Sequence, residues 1–272
     1  KVPWRANSSF PGHHTSQQKG GGLQFRNHVP LIDAPDPRRF DVRASLRDPF
    51  EQIQVRVYQQ TSAIPVYVIA DLSASMSFRG QHSKLETLAN LVGALSYSCY
   101  RMGDRFGFIG CSDADERPLI LPATNNRAAG MELAAQIRSW EGLGKNSSAL
   151  LSASEYLGAR RSLIFLVSDF HFPLSELAEV LGALAHHDVV PVALWDQREY
   201  TGLPNFGFAR VFDPETQHSR TLLLRPSLKK RIEAFFNTRQ QDLNEMCARF
   251  GRLPLFLKDG FNSDEVSGYF FA

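Results

Sequence analysis

The sequence predicts an α/β protein with a mostly parallel sheet flanked by helices, and three observations carry that prediction. From residue 66 onward, apolar runs of strand length alternate with amphipathic helical stripes, the pattern of strand–helix–strand units. Two of the runs, 65–70 and 162–167, are apolar without alternation, as in strands covered on both faces. Both end in a polar cluster, Asp71-Leu72-Ser73-Ala74-Ser75 and Ser168-Asp169, at the carboxyl end where open α/β sheets build their sites.

Taken in order, the chain divides into an N-terminal arm with an arginine-rich β-hairpin (1–62), a core (63–200), and a C-terminal hairpin and helix packing on that core (201–272). Residues 1–30 are rich in Gly, His, Ser and Gln and read as a loop or arm; His13-His14 lacks an acidic or thiol companion, so a polar loop is expected there rather than a metal site. Arg38–Arg43 alternates as a strand would, and Gln52–Tyr58 does so more cleanly, with Ile53, Val55 and Val57 on one face; the two are expected to form a hairpin through Asp48-Pro49. Such a ribbon needs a larger body to dock on.

Behind the first polar loop, Leu85, Leu88, Val92, Leu95 and Cys99 recur at helical spacing. Phe106–Cys111 and Leu119–Leu121 are strands close enough to form an antiparallel edge pair, followed by a helix over 127–140. A glycine-bearing loop at 141–148 precedes a helix begun by Ala149, Leu150, Ala153 and Leu157. Leu174, Leu177, Ala178, Leu181 and Leu184 make the next stripe, and 189–195 the next strand, with Pro191 tolerable near its start or on an edge. Beyond it, 209–212 and 221–224 form a hairpin about the turn Asp213-Pro214-Glu215-Thr216. Ser227 is placed to cap a long helix with Leu228, Ile232, Phe235, Phe236, Leu243, Met246 and Phe250 on its apolar face; Gly251 ends it, and 253–257 returns as a strand.

Composition narrows the function. The chain has 272 residues, is 43% hydrophobic and 21% charged, and can bury a full core. A net charge of +2 is too near neutrality to argue for nucleic acid or a membrane surface. Cys99, Cys111 and Cys247 lack zinc-type spacing and read as buried thiols, which implies a reducing compartment. With no apolar run of about 18 residues and no signal-type start, the expectation is a cytoplasmic protein without membrane insertion, although a chain that begins at Lys1 fits a trimmed sequence.

The chemistry lies in the strand-end acids. If the two strands are neighbours at the switch point, Asp71 and Asp169 converge with Ser73 and Ser75, offering hard oxygen atoms of the type Mg²⁺ and Ca²⁺ prefer. Carboxylates that close repel one another, so a cation or an ammonium is expected between them.

These residues carry a resemblance. Asp71-x-Ser73-x-Ser75 resembles the metal-ion-dependent adhesion site of von Willebrand factor A domains, and Ser168-Asp169 resembles their third site loop. The flanks narrow it: Gly20-x-Gly22-Leu23-x-Phe25, the run Asp36-Pro37-Arg38-Arg39-Phe40-Asp41-Val42-Arg43-Ala44-Ser45, and Asp213-Pro214-Glu215-Thr216 resemble the bacterial family known as domain of unknown function fifty-eight, with Val42 where that family usually has tryptophan. The resemblance implies a Rossmann-like von Willebrand factor A fold and a Mg²⁺ ion (or Mn²⁺ or Ca²⁺) on Asp71, Ser73, Ser75 and Asp169. It also implies a MoxR-type AAA+ ATPase as partner, with a role in maturing or remodelling a client protein; some relatives accompany metalloenzyme assembly. One departure is marked. The family's second site loop carries a threonine where this chain has Lys145, and lysine has no lone pair to offer a hard cation in its charged form. Three outcomes stay open: Ser147 or Ser148 substitutes as ligand, Lys145 turns inward and replaces the metal, or the loop is structural.

The favoured function is a non-enzymatic interaction module in which a partner's acid completes the metal shell. Arg38, Arg39, Arg43 and Arg47, four arginines within ten residues, are the second candidate contact, either a solvated face or a docking patch for an acidic partner. One rival is a scaffold whose vestigial site is closed by Lys145. The other is a Mg²⁺-dependent phosphohydrolase using Asp71 as nucleophile. The position that would hold its general acid is Ser73, and no P-loop, HExxH or nucleophile elbow occurs.

Overall fold

The computed structural model describes residues 11–20, 24–78, 80–112, 118–140, 149–199, 206–212 and 219–270. They fall into two compact units, Lys1–Ile64 with Met102–Asp104, and Pro65–Arg101 with Arg105–Ala272.

The first unit is a three-stranded antiparallel sheet of β1 (Pro11–Gly20), β2 (Gln24–Pro30) and β3 (Gln54–Ser62), ordered β1-β3-β2. Part of the expected N-terminal loop is therefore strand. Its composition is polar because backbone pairing to β3 orders it, and apolar periodicity does not report such pairing. The expected strand over 38–43 is also corrected. Pro37–Arg39 is a single 3₁₀ turn and Val42–Leu46 a short helix, α1. Two acids make the difference. Asp36 accepts the Arg38 N–H at 3.2 Å and Asp41 accepts the Ala44 N–H at 3.1 Å, so each caps a helical turn. Of the hairpin only an isolated bridge remains, Phe40 against Val55. Val55 and Val57 are buried, whereas Ile53 precedes β3 and is half exposed.

The second unit is built on a six-stranded sheet ordered β11-β8-β7-β4-β5-β6, flanked by helices. In chain order it runs through β4 (Pro65–Asp71), α2 (Lys84–Met102), β5 (Arg105–Cys111), β6 (Leu119–Thr124), α3 (Arg127–Arg138), α4 (Ala149–Ser152), β7 (Leu163–Ser168), α5 (Leu174–Ala183) and β8 (Asp188–Leu194). It closes with β9 (Gly207–Phe212), β10 (Ser219–Leu224), α6 (Pro226–Arg249), β11 (Leu255–Leu257) and α7 (Ser263–Tyr269). All neighbours in the large sheet are parallel except β6, which pairs antiparallel with β5 at the edge. β9 and β10 form the expected hairpin, while the turn 213–216 lies outside the described residues.

Pro191 is accommodated because β11 pairs only with Val192–Leu194, so β8 has a free flank at the proline. The long helix starts two residues earlier than expected, with Pro226 in its first turn and Arg225 at the cap position. Gly251 does end it, at φ +78°. Its buried stripe is narrower than expected, holding Leu243 and Cys247 and leaving Phe235 exposed. The apolar alternation did not reveal α7. Its start is fixed by the Asn262 side chain on the Asp264 N–H. All three cysteines are buried and none is in a disulfide.

The core lies on the faces of β4, β7 and β8, where Ile69, Ile164, Leu166, Phe170, Leu177 and Leu181 interlock. The contact between α2 and α3 is closer still. A Cβ on Gly130 would fall 1.8 Å from Ser96 Oγ and 2.5 Å from Ser96 Cβ. Gly130→Ala is therefore expected to lower stability by about 1–3 kcal/mol through overpacking, despite alanine's better helix propensity. Urea unfolding of the variant checks this.

Candidate functional site

β4 sends its successor β5 to one side while β7 lies on the other, so the order in which strands are added reverses at the β4–β7 seam. Strand ends at such a reversal leave a crevice, and both acids sit there. Ala70 is level with Val167, so Asp71 stands beside Ser168, and Ser168 Oγ donates to Asp71 Oδ2 at 2.9 Å. The other oxygen, Oδ1, accepts the Ser73 N–H at 2.9 Å. Ser73 Oγ and Ser75 Oγ are 3.1 Å apart, and the Ser75 hydroxyl bonds Asp169. The structure thus brings Asp71, Ser73, Ser75 and Asp169 into one hydrogen-bonded group. Asp71, Ser73 and Asp169 are buried; Ser75 is half-buried.

Several elements hold the second acid. Asp169 Oδ1 accepts the His171 N–H at 3.2 Å, and its backbone carbonyl takes the Trp195 indole N–H at 2.8 Å. Phe170 adopts φ +52°, a conformation disfavoured for a bulky side chain. It is kept there by the Ser168 hydroxyl on its N–H, and by Arg239 of α6, which donates to the carbonyls of Phe170 and Phe172.

Three side chains of the site were not foreseen from the sequence. Lys84, the first residue of α2, lies 3.0 Å from Asp169 Oδ2 and 2.6 Å from Glu199 Oε1, with its side chain only 3% exposed. Glu199 belongs to a 3₁₀ turn (Gln197–Glu199) just beyond β8. Asp196 lies two residues beyond β8, much as Asp71 closes β4 and Asp169 follows β7, and accepts the N–H groups of His82 (2.7 Å) and Arg198 (2.8 Å). It approaches Gly80 so closely that any Cβ there would lie 2.2 Å from its oxygen. Two signals pointed to these residues. A third strand ends in an acid, and Lys84 sits at a helix start, where the dipole disfavours a cation unless acids compensate it.

The electrostatics follow from burial. Asp71 is pushed up to about 6, first by loss of solvent and then by the Asp169 charge. Asp169 is equally buried, but Lys84 outweighs that effect and holds it at about 2. Lys84 is raised despite burial, because Asp169 and Glu199 both favour its charged form.

Lys145, Ser147 and Ser148 lie outside the described residues. The ammonium on Asp169 comes from Lys84. Among the described residues no three His, Cys, Asp or Glu side chains are grouped to hold an ion by themselves, so a cation would lean on serine hydroxyls and water. The donors suit one. Adjacent vertices of a Mg²⁺ octahedron are about 3 Å apart, which the Ser73 and Ser75 oxygens match. The arginines form no part of this group. Arg39 pairs with Asp36 at 3.0 Å, while Arg38, Arg43 and Arg47 are exposed, none of them in an ion pair with a described residue.

A model described as "Protein of unknown function DUF58" matches residues 35–242. The chain belongs to this family. The chain is 35% identical over 99 residues to a Paracoccus denitrificans protein described as an "Uncharacterized protein in moxR 3'region", spanning 36% of this chain and 94% of that one. Similar solved structures include BatB from Bacteroides thetaiotaomicron, 16% identical with TM-score 0.45 over 77% of this chain and 100% of that one. The von Willebrand factor domain of the pilus tip protein Mfa5 from Porphyromonas gingivalis is 19% identical, with TM-score 0.31 over 39% and 38%.

The two acids act on stability in opposite senses. Asp71 titrates near 6 in the folded chain and near about 3.9 unfolded, so its ionisation removes stability as pH rises from about 4 through 6. Asp169, held at about 2, contributes stability above pH ~4 that is lost as pH falls toward 2. In cation-free buffer, Asp71→Asn is expected to flatten the pH 4–6 decline and to gain about 2–3 kcal/mol at pH 7. Urea midpoints across pH 4–7 measure it.

Proposed function

We propose that the chain is a non-enzymatic protein-interaction module that holds a divalent cation, Mg²⁺ or alternatively Mn²⁺ or Ca²⁺, at Asp71, Ser73 and Ser75 with Asp169 beside them, and offers it to an acidic side chain of a partner. The observation that carries this reading is a charge imbalance. Asp71 and Asp169, both buried, and Glu199, 11% exposed, face the Lys84 ammonium, and these four groups sum to two negative charges when all are ionised, with the His171 ring 3.8 Å from Glu199. Buried charge of that size calls for a counter-ion. A bound divalent ion would supply it, together with an open coordination position for a carboxylate. Ser75, the half-buried member, marks the side open to a partner.

The proposed partner class draws on one relative. A relative sits in a moxR 3' region, which supports a MoxR-type AAA+ ATPase as partner and maturation or remodelling of a client protein as the task. The arginine segment supports a second contact. Arg43 and Arg47 project beside Val42 and Leu46 at helical spacing, and Leu46 and Phe50 are 83% and 80% exposed, a basic and apolar surface suited to an acidic segment.

A second reading is favoured by one contact. Lys84 at 3.0 Å from Asp169 already acts as a counter-ion, and in this reading the site is a scaffold that takes no metal. Calorimetric titration with Mg²⁺ separates the two, with heat expected under the first and none under the second.

For the interaction itself, Asp71→Ala is expected to abolish Mg²⁺-dependent capture of the cognate ATPase or client while circular dichroism stays unchanged. Capture by the folded variant at the wild-type level counts against the proposal. Arg43→Glu/Arg47→Glu is expected to weaken capture about tenfold or more, an effect that shrinks as salt rises.

A further inference from the structure

Lys84 and Glu199 are not ligands in the reading above, yet their side chains are 3% and 11% exposed and lie against it. Nothing local favours a lysine at the first position of α2, because the helix N-terminus repels positive charge. Its ammonium is held instead by Asp169 and Glu199, with the Phe78 ring 5.6 Å away. Glu199 is hydrogen-bonded through one oxygen, and the His171 ring nitrogen stands 3.8 Å from the other. Oε1 takes the lysine, while Oε2 is buried with no hydrogen-bond partner among the described residues. Leaving a carboxylate oxygen unsatisfied costs stability, and the pair adds no net charge of its own. What it does is place a positive charge on Asp169 and a negative one just behind.

We infer that the Lys84–Glu199 pair sets the charge of the cation site, and so its valence preference. The inference rests on the proposed reading that the Asp71 group holds a cation. With the pair intact the site carries two negative charges and is neutralised by a divalent ion, whereas a trivalent ion overshoots. Lys84 also donates to Asp169 Oδ2, and the His171 N–H to Oδ1, so part of that carboxylate's accepting capacity is already taken within the chain. Neutralising Lys84 adds a negative charge and frees that oxygen. Neutralising Glu199 does the reverse. Neutralising both restores the original count.

Charge therefore predicts an order that packing alone does not. Mn²⁺ binding is read by calorimetry, and Tb³⁺ binding by luminescence sensitised through Trp195, whose indole bonds the Asp169 carbonyl. Lys84→Met is expected to tighten Mn²⁺ by about tenfold or more and Tb³⁺ by a larger factor, since a unit charge several ångströms away acts in proportion to ion valence. Glu199→Gln is expected to weaken both, and Lys84→Met/Glu199→Gln to return Mn²⁺ to within about threefold of wild type. A folded Lys84→Met protein with unchanged or weaker Mn²⁺ binding overturns the inference, as does a double variant that fails to return. If Lys84→Met does not fold without cations, the isosteric Glu199→Gln decides, and unchanged affinity there overturns the inference. Wild-type protein that binds neither ion overturns this inference together with the reading beneath it. Wild-type binding with variants out of order overturns the inference alone.

Discussion

The second unit is organised by one electrostatic constraint: three carboxylates, Asp71, Asp169 and Asp196, withdrawn from water at one end of adjacent strands, with the Lys84 ammonium on the second of them. An isolated buried carboxylate is tolerated only when hydrogen bonds and counter-charge replace its hydration. The local architecture around the switch point supplies those replacements. Ser73 and Ser168 serve Asp71; Lys84, Ser75 and the His171 N–H serve Asp169; the His82 and Arg198 N–H groups serve Asp196. Gly80 has no side chain because Asp196 occupies that space. Even the left-handed Phe170 belongs to this scheme, since its conformation turns the chain sharply after Asp169 and lets Arg239 take the carbonyls it exposes.

The topology decides where this group can form. A sheet ordered with β4 between β5 and β7 brings two parallel strands together whose following loops leave in opposite senses, and polar groups meet no competing helix there. β8 lies next to β7 in the same direction, so its terminal acid joins the same end of the sheet. Glu199 follows three residues later, carried inward by a 3₁₀ turn that Asp196 caps. Strand order, a cap and a turn thus deliver Glu199 to a lysine more than a hundred residues earlier in the chain.

That geometry explains what the sequence disclosed and what it withheld. The strands β4, β5, β7 and β8 were legible because burial on both faces writes a continuous apolar run, and Asp71, Ser73, Ser75 and Asp169 were legible because they follow directly. Lys84 and Glu199 were not, because their partners are distant in sequence and only the fold makes them neighbours. The arginine segment was misjudged for a different reason. Its alternation of charged and apolar residues satisfies a strand's period, but Asp36 and Asp41 are capping residues, and a cap overrides a short period-two pattern. Asp41 is further held below the usual carboxylate range by the Ala44 N–H, then by Arg56 and His28, so the cap stays ionised and the turn is fixed.

The same physics argues against reading the Lys84 cluster as a device for stability. A buried ion pair recovers little of its desolvation cost, and well-packed apolar residues of similar volume usually serve a fold as well or better. The surroundings here supply apolar neighbours in quantity, with Phe170, Phe172, Phe236 and Trp195 arranged about His171. A lysine against the helix dipole, a glutamate with one oxygen lacking a hydrogen bond among the described residues and an aspartate pushed up to about 6 are each unfavourable locally. Lys84 and Glu199 offset part of each other's cost, whereas the repulsion between Asp71 and Asp169 is the cost that the proposed cation would relieve.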